Sequence, residues 1–239
     1  MVFEGHSTFG AEAGLGAELC CSLAVRAVLF DLDGTLVDSV GAYIEVARVA
    51  AEPFGFEVTE EQVRLALSSG GSFWKGIVPE DRSDGAAILK AISANAAREW
   101  PRILREHGKL FDGVLETLDA LKGLGILLGI VSGARPEVLE LLRPNGVLER
   151  FDAVVLGKDV SKSKPDPEGI LKCLDHLSVA PADALYVGDA PIDIFASRAA
   201  GVRVVSVLTG AGDSASLSMH APDRLISSHT VLPAIVTSF

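Results

Sequence analysis

Cysteine is scarce: Cys20, Cys21 and Cys173 are the only three. Their odd number, the adjacency of two of them and the lack of a Cys-x-x-Cys pair argue against a disulfide framework or a cysteine-built zinc site. A reducing compartment fits best, so a cytoplasmic protein is expected. No apolar run reaches membrane-spanning length. Residues 1–22 hold Glu4, Glu12 and Glu18 but no lysine or arginine, which is wrong for a secretory signal. Basic residues are outnumbered, with 21 Lys and Arg against 32 Asp and Glu and a formal charge of −11. No basic stripe is present to release counterions, so nucleic acid and anionic membranes are not expected partners, and an anionic substrate needs a local cation. Gly-x-Ser-x-Gly is missing, which speaks against a serine nucleophile, and no internal repeat is visible. Apolar residues, in contrast, make up 49% of the 239 residues, enough for one good core plus a smaller accessory domain.

That apolar material first concentrates at Ala27-Val28-Leu29-Phe30, which reads as a buried strand and stops abruptly at Asp31-Leu32-Asp33-Gly34-Thr35-Leu36-Val37-Asp38-Ser39. In an open parallel sheet, ligands bind at the carboxyl ends of strands, so Asp31 and Asp33 stand where a nucleophile or metal ligand would be displayed. Gly34 permits the sharp turn. Two carboxylates about 4 Å apart repel by about 4 kcal/mol at an effective dielectric near 20, so a cation or shared proton is expected between them. A plain strand-to-helix turn is the bland alternative. A calcium loop fits poorly, because the position that should carry glutamate is Ala42 and a strand, not a helix, precedes the loop.

After Ser39 the pattern turns helical, with Tyr43, Ile44, Val46, Ala47 and Ala50 on one face as far as Pro53–Gly55. Thr59 and Gln62 form a capping box that opens a second helix, which stops at the Ser68–Ser72 loop. A third helix is predicted from about Asp84 to Glu99, broken or kinked at Pro101 before a last turn to His107. From Leu110 strands and helices alternate: a helix over 114–123, a strand over 126–131, a helix over 136–142, a strand over 151–156 and a helix over 167–177. A strand over 184–187, a helix over 191–200, a strand over 202–208 and a short strand at 224–226 complete the series. This rhythm predicts an α/β fold, a doubly wound parallel Rossmann-like sheet with a small α-helical cap inserted. The expected division is a disordered or loosely packed extension over 1–24, a core of 25–40 and 108–239, and a helical cap over 41–107.

Three further places carry candidate chemistry. Ser132 and Gly133 end the second core strand, where a hydroxyl and backbone N–H groups suit phosphate oxygens, although a simple N-cap serine explains them too. Lys164 is framed by Pro165 and Pro167, which stiffen the segment and make it a fixed cation. Gly188-Asp189 is followed four residues later by Asp193, so both carboxylates can face the tip of the first strand.

Together these motifs resemble those of the haloacid dehalogenase superfamily of aspartate-nucleophile phosphohydrolases, over about 26–227, with the closest overall look to phosphoglycolate phosphatases. The resemblance implies that Asp31 attacks phosphorus to form an aspartyl phosphate, and that Asp33 is general acid and then base. It further implies Mg2+ held by Asp31, the Asp33 carbonyl and Asp189, with Asp193 supporting the metal shell or orienting Lys164. Ser132, Gly133 and Lys164 would hold phosphoryl oxygens. Ala190 and Ser132 stand where many members carry threonine, and neither change removes a ligand. Asp33 disfavours a dehalogenase or a phosphonate hydrolase. In the loop Gly70–Lys75, Lys75 is a candidate contact for a distal substrate group, or else a surface lysine.

The implied function is hydrolysis of a small phosphorylated metabolite, phosphoglycolate or a sugar phosphate, by a monomer or homodimer. The alternatives are β-phosphoglucomutase-type phosphoryl transfer and a non-catalytic, aspartate-phosphorylated signalling or binding protein.

Overall fold

The computed structural model describes residues 25–69, 74, 77–79 and 81–239. The extension expected over 1–24 and the candidate Lys75 lie outside the described residues. Six parallel strands form the sheet: β1 (Ala27–Phe30), β4 (Leu127–Ser132), β5 (Ala153–Leu156), β6 (Ala184–Gly188), β7 (Arg203–Val207) and β8 (Arg224–Ile226). They lie in the order β5-β4-β1-β6-β7-β8. A separate antiparallel pair, β2 (Val37–Asp38) and β3 (Lys109–Leu110), ties the chain together on either side of the first three helices.

Alternation along β1 shows why the sheet is covered on both faces. Val28 and Phe30 join a core cluster with Leu118 and Leu121 of α4 (Val114–Gly123), whereas Ala27 and Leu29 join Ile170, Cys173 and Leu174 of α5 (Glu168–Leu177). All four β1 side chains are fully buried, as a parallel strand with helices above and below requires. The chain winds outward from β1 to β5, then returns to the opposite side of β1 with β6, β7 and β8. Order therefore reverses at β1, and the crevice beyond its carboxyl end is the expected ligand position of such a sheet.

Between β2 and β3 run α1 (Val40–Ala51), α2 (Glu60–Ser69) and α3 (Gly85–His107). Gly55 takes φ 76° just after a short 3-10 turn that extends α1. The Thr59 hydroxyl accepts from the Gln62 N–H at 3.2 Å while Gln62 Oε1 accepts from the Thr59 N–H at 2.9 Å, the reciprocal cap read from the sequence. Ala47, Ala50, Val63 and Ile92 gather these helices around a small core of their own. Among the described residues no helix is long and apolar enough to cross a membrane.

The structure decides two local points. Helix α3 is not broken at Pro101 but runs through it to His107 as one 23-residue element. A proline inside a helix costs about 3 kcal/mol. The buried side chains of Trp100, Ile103 and Leu104 beside it each contribute roughly 1.5–3 kcal/mol, which outweighs that cost. The segment expected as a helix at 136–142 is a 3-10 helix, Pro136–Leu141. Its Val138 and Leu142 amides bond three residues back, and with Pro144 close behind it has no room to settle into α geometry. The sequence also gave no sign of β2 and β3, each of two residues, or of α7 (Ser214–Met219).

His229 is fully buried near Phe111, and among the described residues neither ring nitrogen finds a well-formed hydrogen-bond partner. Burial pushes its pKa down, with the Gly113 backbone opposing. The unfolded chain therefore takes up a proton that the folded chain refuses. The stability contributed by neutral His229 is complete above about pH 6.5 and is lost as pH falls below it. Thermal melts at pH 7 and pH 5 should show a smaller acid loss in His229→Leu than in the parent chain; equal losses would refute this assignment.

Candidate active site

The carboxyl ends of β1, β4 and β6 bring five of the anticipated residues into one buried cluster. Asp31 follows β1, Ser132 closes β4, and Asp189 follows β6. Asp193 sits in the first turn of α6 (Pro191–Ala199), and Lys164 comes from the loop before α5. Lys164 Nζ stands 2.6 Å from Asp193 Oδ1 and 2.9 Å from Asp31 Oδ1. Its side chain is 11% exposed, Asp31's 10% and Asp193's 1%. The rarity of water makes this pairing stronger than a surface ion pair, and leaving either partner alone would be costly. Asp193 is held in turn by its Oδ2, which accepts from the Asp189 and Ala190 amides at 3.2 and 3.0 Å.

Asp189 is fixed by three groups, one inside the first motif and two beyond β7. Thr35 donates its hydroxyl to Oδ1 at 3.1 Å, the Ala211 N–H donates to Oδ2 at 2.7 Å, and the Gly212 N–H donates to the Asp189 carbonyl at 3.1 Å. Gly34 lets this happen. Its φ is 76°, and a Cβ there would lie 2.6 Å from Asp189 Oδ2 and 2.8 Å from the Gly210 Cα. Gly34→Ala should therefore lose roughly 1–3 kcal/mol of stability from strain and push Asp189 out of place. Thermal melts and turnover should fall together, and an unchanged melt would refute the tight fit.

Asp33 projects toward α1 rather than into the carboxylate cluster. Ser39 donates to its Oδ1 at 2.6 Å and the Tyr43 hydroxyl to its Oδ2 at 3.2 Å. Desolvation, and then the charge of Asp31, push its pKa up to about 6, against these two hydrogen bonds. Burial likewise raises Asp31, opposed chiefly by Lys164. Asp189 is raised well above the usual carboxylate range by burial, then by Asp193 and Asp31. For Lys164 burial works against the charge, but the Asp193 and Asp31 carboxylates prevail and hold it well above its ordinary value.

One ligand oxygen from each of Asp31, Asp189 and Asp193 lies within 4.8 Å of the others. With a single lysine among these three carboxylates, ionisation leaves two negative charges uncompensated. Burial is the main cause of the upward shifts of Asp31 and Asp189, and the neighbouring carboxylates add to it. A hard divalent cation on carboxylate oxygens would relieve the uncompensated charge, so the donor set fits Mg2+. Asp31, Asp33, Gly133, Lys164 and Asp189 line one cavity of about 230 Å³.

Ser132 is buried, and its hydroxyl accepts from the Ala134 N–H at 3.2 Å, the local bond of a turn serine; it also helps hold Asp31. Residues 133–135 separate Ser132 from the 3-10 segment that begins at Pro136, where the helix was expected. Sequence reading missed the hydroxyls of Thr35, Ser39, Tyr43 and Tyr186. Tyr186, on β6, accepts from Lys164 Nζ at 3.1 Å and donates to the Val131 carbonyl at 2.9 Å. Their rarity was the available signal: the chain has two tyrosines, and both touch the site.

Comparison with known proteins adds a consistent picture. Residues 28–207 match the family described as haloacid dehalogenase-like hydrolase. A phosphoglycolate phosphatase of Xanthomonas campestris pv. campestris is 33% identical over 200 residues, covering 82% of this chain and 90% of the relative. An N-acetylmuramic acid 6-phosphate phosphatase of Pseudomonas putida is 29% identical over 192 residues, covering 79% of this chain and 85% of the relative. A solved structure from Bacteroides fragilis, described as a haloacid dehalogenase-like hydrolase, aligns with a TM-score of 0.73 at 30% identity, covering 87% of this chain and 99% of that one.

Proposed function

Since the chain belongs to the haloacid dehalogenase-like hydrolase family, we propose that it is a magnesium-dependent phosphatase that hydrolyses a small phosphorylated metabolite through a phosphorylated Asp31. The observation that carries this reading is the division of labour between two aspartates two residues apart. Asp31 is paired with a buried lysine, while Asp33 is held apart by Ser39 and Tyr43 with its pKa near 6. One suits a nucleophile and the other a proton carrier.

In the first step an Asp31 oxygen bonds to phosphorus, the ester P–O bond breaks, and the leaving oxygen takes the proton of Asp33. In the second, Asp33 accepts a proton from water as its oxygen attacks phosphorus, releasing phosphate and restoring both carboxyl groups. Lys164 neutralises the approaching phosphoryl group and keeps Asp31 oriented; Asp193 keeps Lys164 charged and in place. Ser132 and the Gly133 amide are assigned to phosphoryl oxygens. Asp31, Asp189 and the Asp33 carbonyl would hold magnesium, which supplies charge neutralisation between carboxylates and phosphate when bound. We assign residues 41–107 as a cap on a core of 25–40 and 108–239, excluding water from this chemistry.

Phosphoglycolate and sugar phosphates are the substrates proposed, in line with the activities named for the two phosphatase relatives. Phosphate release should be measured with magnesium against phosphoglycolate, sugar phosphates, N-acetylmuramic acid 6-phosphate, nucleotides and pyrophosphate. Selective release from a small phosphoester is the expected outcome. Isomerisation of β-glucose 1-phosphate without release, or no reaction at all, would overturn the reading.

A further inference from the structure

A second cavity, of about 310 Å³, adjoins the first across Tyr43 and Gly133, which line both. Its walls come from α1, α3 and the turn after β4, and include Trp74, Ser93, Trp100 and Arg135. The Tyr43 and Trp100 rings stand with centroids 4.5 Å apart at 38°, forming a broad aromatic surface. Because the Tyr43 hydroxyl is also bonded to Asp33, this surface is fixed relative to the proposed proton carrier. Among the described residues Arg135 is the one charged residue lining the cavity, and it forms no ion pair with any of them. Pro136 restricts its backbone, which is extended with φ −72° and ψ 152°. The indole N–H of Trp100 is buried in the same wall without an acceptor among the described residues.

We propose that this cavity receives the organic part of the substrate, and that this part is a sugar-sized group bearing a carboxylate. The inference rests on the phosphatase reading above and narrows its substrate class. Size is the first argument: a glycolyl unit of about four heavy atoms leaves most of the cavity empty, whereas a hexuronate of about twelve takes up a far larger share of it. Aromatic walls suit the C–H faces of a pyranose better than a two-carbon acid. A guanidinium with no carboxylate beside it among the described lining residues selects a planar anion that it can bind through two parallel hydrogen bonds.

Both tryptophans of the chain lie in this wall, so intrinsic fluorescence reports occupancy without turnover. Asp31→Asn protein with magnesium should be titrated with glucuronic acid 1-phosphate, glucose 1-phosphate and phosphoglycolate. The expected order places the sugar acid phosphate about tenfold or more tighter than the neutral sugar phosphate, with the larger fluorescence change. Adding Arg135→Gln should erase that preference. In otherwise unaltered enzyme, Arg135→Gln should raise KM for the sugar acid phosphate about tenfold and change kcat much less. Equal binding of the two sugar phosphates, a preference that survives Arg135→Gln, or tightest binding of phosphoglycolate would overturn the inference. Hydrolysis of p-nitrophenyl phosphate by the wild-type chain separates the failures: where it occurs, the phosphatase reading stands whatever the titrations give, and where it does not, both fall.

Discussion

Asp31→Asn should reduce phosphate release by on the order of 10⁴-fold or more, because an amide cannot supply the attacking oxygen and the remaining groups only position the substrate. Stability should move the other way or not at all. Asp31 is buried beside Asp189 and Asp193, and its ionised form is disfavoured by burial. An uncharged side chain of the same shape removes like-charge repulsion, while Lys164 keeps Asp193 at 2.6 Å. A melting temperature equal to or above that of the parent, together with lost turnover, separates a chemical role from a structural one. Retained turnover would mean that another atom attacks phosphorus.

Lys164→Met has the second largest expected effect, and here activity and stability should fall together. Turnover should drop by about 10²–10⁴-fold, since a fixed positive charge beside the reacting phosphoryl group is lost. Without the ammonium, Asp31 and Asp193 remain buried with no cation between them, a loss of about 3–5 kcal/mol if both stay ionised. Protonation limits that loss. Burial already raises Asp31, and without Lys164 to oppose it its neutral form is favoured further, so protonation stabilises the fold below the unfolded value of about 4, and this help is lost as pH rises. The deficit relative to the parent should therefore be small near pH 4 and widen toward pH 7 in metal-free melts. A deficit independent of pH would show that Lys164 contributes packing rather than charge.

The strand tips of the site were legible because three core strands are apolar runs that end at a polar residue: Phe30 before Asp31, Val131 before Ser132, Gly188 before Asp189. Charge at the edge of a buried run has few explanations, and the order of the runs gave the sheet its winding. What the sequence concealed lies in side chains whose role depends on tertiary contact. Tyr43 looks like any apolar-face residue of α1 until Asp33 is seen 3.2 Å from its hydroxyl. Tyr186 reads as a strand residue, yet its hydroxyl accepts from Lys164 Nζ at 3.1 Å. The course of α3 past Pro101 was likewise hidden, because a local helix breaker was outweighed by burial of Trp100, Ile103 and Leu104. The 3-10 segment after β4 differs from the expected helix for a local reason, the spacing of Pro136 and Pro144.

The central claim is that phosphate passes through the side chain of Asp31, and trapping that species tests it most directly. Asp33→Asn protein should be mixed with magnesium and an aryl phosphate, whose good leaving group needs no acid, so that the first step proceeds while the water-activated second step is slowed. After acid quench and proteolysis, the account predicts one phosphorylated peptide containing Asp31, its label removed by hydroxylamine as an acyl phosphate requires. A hydroxylamine-stable label on Ser132, or turnover of the ester with no phosphorylated peptide at all, would contradict it.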